Sequence, residues 1–176
     1  NVIKNNYLWR NNMIKSATLD EELFIVLTLN QDQLAPALRI QETIAEYYNL
    51  YPEQNYPELH ITLDRINKQS IPQATKFIQQ VAQHTGLVEI IVKDFNCFQF
   101  ENNFLVLEVK NTPSLLKLAN ELHTKLATAG ISTIENYHDW KFHITIINSL
   151  FAENQLSNDT FNQLCLNLKE LKEELS

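Results

Sequence analysis

The stretch PELHITLDRI, residues 57–66, has an echo in KFHITIINSL, residues 141–150. Both carry His-Ile-Thr inside an apolar, β-branched run, which is the composition of a strand. Side chains alternate across a strand, so His60 and Thr62 project to one face while Leu59, Ile61 and Leu63 project to the other. The same alternation groups Lys141, His143 and Thr145, with Phe142, Ile144 and Ile146 behind them. A neighbouring helix can cover each apolar set, which leaves a His and a hydroxyl about 7 Å apart on the opposite face. Two such faces turned toward each other would line a cleft with two imidazoles and two hydroxyls.

Outward from these motifs the chain reads as alternating elements. ELFIVLTLN (22–30) is a strand by its β-branched content, and DQLAPALRIQETIAEYYNL (32–50) has apolar residues at helical spacing, with Pro36 near its first turn. Ser70 with Pro72 marks the capped start of a helix that Gly86 closes. LVEIIVKDFNCFQF (87–100) and FLVLEVK (104–110) read as strands meeting at the polar turn ENN. Thr112 and Pro113 open a helix that Gly130 stops, and a last amphipathic helix runs from 158 to 175. Strand, helix and a His-Ile-Thr strand thus occur twice, about half the chain apart. The expected fold is α/β (α+β), a single domain over 21–176 with two related lobes, about 21–90 and 91–155. Residues 1–20, Asn-rich and without periodicity, read as an N-terminal arm in which Tyr7 and Trp9 are packing candidates.

The chain has 176 residues, 44% hydrophobic and 20% charged, enough for one domain that buries roughly two-thirds of its unfolded surface. Net charge is −7, and such a surface repels a long polyanion. Genomic DNA is therefore excluded as a partner, whereas a small anionic ligand or one RNA end remains open. The apolar runs are too short to span a bilayer, and no basic region followed by an apolar one opens the chain. Cys97 and Cys165 stand far apart with no CxxC, and are expected to be buried reduced thiols in a cytoplasmic protein. A monomer is expected. With two glycines, Gly86 and Gly130, there is no Gly-rich phosphate loop.

Paired His-x-Thr strands suit displacement at phosphorus. One imidazole can take a proton from the attacking oxygen while the other protonates the departing one. Two Thr hydroxyls can donate to the non-bridging oxygens. The scheme requires no metal and no other cofactor. A metal site built on His138, His143, Asp139 and Asp64 lacks the tight ligand spacing of zinc sites. His84 and His123 fall at polar positions of helices and read as surface residues. Tyr137 and Trp140, just before the second motif, are candidates for stacking on a base or for packing, and Phe98 with Phe100 reads as core.

With these motifs in view, the sequence resembles the two-histidine (2H) phosphoesterase superfamily, which includes the 2′-5′ RNA ligase and cyclic phosphodiesterase families. Its signature is a pair of H-x-T/S motifs, one per lobe, with hydrophobic flanks; LHITL and FHITI both fit, and the resemblance covers about residues 22–150. It implies a pseudo-twofold α/β fold in which two antiparallel sheets, each backed by helices, form a central cleft. It also implies metal-independent hydrolysis of 2′,3′-cyclic phosphates, or the making and breaking of 2′-5′ RNA linkages. Carried over by motif position, His60 and His143 become the acid/base pair, and Thr62 and Thr145 the phosphate donors. Many RNA ligase relatives place an Arg soon after the second motif; here the chain continues IINSLF, and Lys141 is the candidate for that charge. The family also commonly adds a closing strand after the second motif, where this chain ends in a helix. The alternative reading is a non-catalytic nucleotide or RNA-end binder of the same fold.

Overall fold

Among the described residues, runs of Val, Ile, Phe and Leu with polar residues between them form five strands, and segments with apolar residues three and four apart form the helices. The computed structural model describes residues 20–54, 56–99 and 102–175. Their order is β1 (Glu22–Thr28), α1 (Gln31–Tyr47), β2 (His60–Asn67), α2 (Ile71–His84), β3 (Val92–Gln99), β4 (Asn103–Val109), α3 (Pro113–Thr128), β5 (His143–Asn148) and α4 (Asn158–Leu175). Single 3₁₀ turns lie at Lys68–Ser70 and Tyr137–Asp139. The expected arm over 1–20, with Tyr7 and Trp9, falls outside the described residues except for Asp20, and Phe100 is likewise outside.

The strands hydrogen-bond into one antiparallel sheet in the order β1-β2-β5-β4-β3. The α/β class expected from the sequence is what the chain adopts. Two compact units are interleaved along the sequence. One takes the described residues up to Leu27 with Ile61–Val92 and Val109–Phe142; the other takes Thr28–His60, Lys93–Glu108 and His143–Ser176. In the first, α2 packs on α3, which buries Ala74 and Val81 of one helix and Leu115, Ala119, Leu122 and Leu126 of the other. In the second, α1 packs on β5. β5 pairs antiparallel with β4, with a bulge that sets Leu105 opposite Ile147 and Val106 opposite Thr145. The extra residue shifts the alternation, so Ile144, Ile146 and Ile147 are all buried.

The starts of α1 and α3 follow their sequences, whereas both ends of α2 depart from theirs. Thr112 caps α3 by accepting from the Leu115 amide, and Asn30 caps α1 by accepting from Asp32. Ser70 sits in the 3₁₀ turn ahead of α2 and its side chain caps nothing; Pro72 alone keeps its expected place in the first turn. α2 ends at His84, with Thr85 already extended, one residue short of the Gly86 stop expected. The strand expected over 87–100 starts only at Val92, and Leu87 is fully exposed.

Gly130 closes α3 in the left-handed conformation, φ +69°. Its amide bonds to Ala127 and the Ile131 amide to Leu126, the paired bonds of a Schellman cap. A Cβ there would meet nothing within 4 Å, so the demand on this residue is conformational. Gly130→Ala is expected to cost about 1 kcal/mol of stability, read from a denaturant midpoint.

The two cysteines correct the sequence reading. Cys97 of β3 and Cys165 of α4 form a disulfide, with Cα atoms 6.2 Å apart. A strand and a helix brought together by folding supply that distance, which no spacing along the chain reveals. The argument from reduced thiols to a reducing compartment falls with it. The bond closes a long loop, the cysteines standing 68 positions apart, and so constrains the unfolded chain. A Cys97→Ala, Cys165→Ala variant is expected to lose roughly 2–4 kcal/mol, measured by denaturant titration under oxidising conditions. An unchanged midpoint would mean that the bond does not form in solution.

Candidate active site

β2 and β5 each open on a histidine. Along β2, His60 and Thr62 are half-exposed while Leu59, Ile61 and Leu63 are buried. Along β5, His143 and Thr145 are half-exposed while Phe142, Ile144 and Ile146 are buried. A strand buried on one face holds its register firmly, because a slip of one residue would turn every apolar side chain to water. The apolar backing therefore fixes which way each imidazole and each hydroxyl points. His60 and His143 both belong to the second compact unit.

The His60 ring is held by its own strand entrance. Nδ1 lies 2.8 Å from the Glu58 carbonyl oxygen. A carbonyl can only accept, so Nδ1 carries the proton and Nε2 is left to exchange protons with whatever faces it. In the same unit a buried amide anchors both motif segments. Gln41 of α1, 1% exposed, donates Nε2 to the carbonyls of Pro57 and Ile146, each at 3.1 Å. Pro57 precedes His60 by three residues, and Ile146 follows Thr145 at the bulge, where a carbonyl has left the regular ladder. Nothing in the local sequence marked Gln41 for this task.

The first unit carries a polar cluster behind the first motif. Asp64 is wholly buried and accepts three hydrogen bonds, each 2.7 Å long, from the Arg65 amide, the Ser132 hydroxyl and His123 Nδ1. Three donors offset the cost of taking a carboxylate out of water. The Tyr137 ring lies flat on His123, centroids 3.6 Å apart and planes within 3°. Its hydroxyl donates to the Leu63 carbonyl at 3.0 Å. Burial, and next the Asp64 charge, push the Tyr137 hydroxyl well above its usual pKa, so it stays a donor. Trp140 donates its indole N–H to the Thr62 carbonyl at 3.1 Å, and the Arg65 guanidinium lies 6.0 Å from its ring. Tyr137 and Trp140 thus dock the segment ahead of His143 onto the backbone of the first motif strand.

Of the residues singled out in the sequence, His60 and Thr62 lie on β2, His143 and Thr145 lie on β5, and Lys141 is exposed two residues before His143. Tyr137 has one ring face taken by His123. His123, expected at the surface, is instead mostly buried against Asp64. The reason lies in its helix: position 123 follows Ala119 by four and Leu115 by eight, on the buried stripe of α3. His84 is exposed as expected, and Asp64, weighed above as a metal ligand, spends its oxygens on protein donors.

An α/β chain with two His-x-Thr strands, each over a buried aliphatic backing, has the makings of a two-histidine phosphoesterase. The model of the AKAP7 2′5′ RNA ligase-like domain matches residues 22–173, and the chain belongs to that family, within the 2H phosphoesterase superfamily. That superfamily consists generally of enzymes. No curated protein sequence matches the chain.

Proposed function

We propose that this domain is a metal-independent phosphodiesterase acting on 2′,3′-cyclic phosphates or 2′-5′-linked nucleotides and RNA ends. The observation that carries the reading is the matched pair of strands: each presents a His and a Thr on its open face over buried aliphatic residues. For a cyclic phosphate, one imidazole accepts a proton from water as the water oxygen bonds to phosphorus. The opposite P–O bond breaks, and the second imidazole gives its proton to the departing ribose oxygen. The product is an acyclic phosphomonoester, and the two rings have exchanged protonation states. Thr62 and Thr145 donate to the non-bridging oxygens as charge gathers on them. Lys141, Tyr137 and Trp140 are the remaining candidates for substrate contact. The net charge of −7 favours a small nucleotide or one RNA end over a long duplex.

The test is turnover. Purified protein is incubated with 2′,3′-cyclic nucleotides, 2′-5′ dinucleotides and RNA ending in a cyclic phosphate, each with excess EDTA. Monoester product that survives chelation supports the proposal. Tight binding without product overturns it in favour of a nucleotide-binding module.

A further inference from the structure

The two histidines sit in unlike surroundings. His60 donates a hydrogen bond from Nδ1 to a backbone carbonyl, whereas His143 stands across the β4–β5 ladder from a carboxylate, Glu108. The next pair along, Val109 with Phe142, is hydrogen-bonded, the Val109 amide donating to the Phe142 carbonyl at 3.0 Å. Antiparallel pairs alternate, so Glu108 and His143 form a non-hydrogen-bonded pair, with Cα atoms about 4.5 Å apart and side chains at their closest on one face. Both residues are half-exposed while their neighbours Leu107 and Ile144 are buried, as a shared open face requires. The carboxylate is itself held: Asn96 of β3 donates Nδ2 to Glu108 Oε1 at 2.7 Å. One oxygen is thereby engaged from β3, the strand that flanks β4 on the side opposite β5.

We propose that Glu108, held by Asn96, is the positioning residue for His143, fixing the imidazole plane and stabilising the ring in its cationic form during turnover. The proposal rests on the phosphodiesterase reading above. A carboxylate beside an imidazole that gains or carries a proton favours the charged ring, and a fixed carboxylate also restricts its rotation. The negative charge would oppose a phosphate if it reached the anion directly. Across the ladder from a ring that must become positive, the same charge aids the chemistry.

The experiment compares wild type, Glu108→Gln and Glu108→Asp on a 2′,3′-cyclic nucleotide, and records the ring-nitrogen resonances of His143, assigned by their loss in His143→Ala. Glu108→Gln keeps the shape and the Asn96 contact but removes the charge. It is expected to lower kcat by about 10–100-fold with KM within about threefold, and to move the His143 resonances. Glu108→Asp, which keeps the charge, is expected to recover part of kcat. An unchanged kcat, a rise in KM alone, or His143 resonances that stay put would overturn the proposal. A wild-type protein without turnover would overturn the phosphodiesterase reading instead, and the resonances would still decide whether Glu108 acts on His143.

Discussion

Replacing His60 or His143 with alanine is expected to lower turnover of a 2′,3′-cyclic nucleotide by about 10²–10⁴-fold, the range a positioned acid or base contributes. Each substitution removes one end of the proton transfer, and neither is expected to disturb folding, because both rings sit on half-exposed strand positions over buried Ile61 and Ile144. KM should change far less than kcat, since the hydroxyls of Thr62 and Thr145 remain to hold the anion. The double variant should fall little below the worse single one, because two groups that act in one proton relay lose their effect together. Initial rates with EDTA present, alongside unfolding midpoints, provide the check. Additive losses, or two variants retaining wild-type rates, would count against a shared reaction.

The second large effect is on stability and lies away from the reacting atoms. Asp64 accepts from the Arg65 amide, Ser132 and His123, with no exposed surface of its own. Asp64→Ala leaves a hydroxyl, an imidazole and an amide facing a cavity without their acceptor, a loss of roughly 3–5 kcal/mol at about 1–3 kcal/mol for each stranded donor. Asp64→Asn keeps the shape and one acceptor oxygen, so its cost should be smaller. Denaturant titration of both variants measures the difference. A loss below about 1 kcal/mol for Asp64→Ala would mean that water replaces the carboxylate and that the cluster contributes little.

The motif strands were legible because a period of two leaves a plain mark: Leu59, Ile61 and Leu63 against His60 and Thr62, then Phe142, Ile144 and Ile146 against His143 and Thr145. Helix boundaries with strong stops, such as Thr112 and Gly130, were also readable, since caps are local chemistry. Contacts made by tertiary proximity left fainter marks. The Cys97–Cys165 bond joins elements 68 positions apart, and neither local sequence announces the other. His123 could have been found: it lies on the apolar stripe of α3, and Asp64 sits inside an apolar strand where an unpartnered carboxylate would be costly. Gln41 and Glu108 had no such signal, because one acts through carbonyls remote in sequence and the other through a strand partner set by a bulged register.

Both imidazoles acting on one phosphorus is the central claim, and a crystal structure with a bound nucleoside 2′-phosphate product tests it most directly. A ring nitrogen of His60 and one of His143 should each lie about 3 Å from oxygens of the same phosphate, with the Thr62 and Thr145 hydroxyls on its remaining oxygens. A phosphate held by one ring alone, or seated away from β2 and β5, would contradict it.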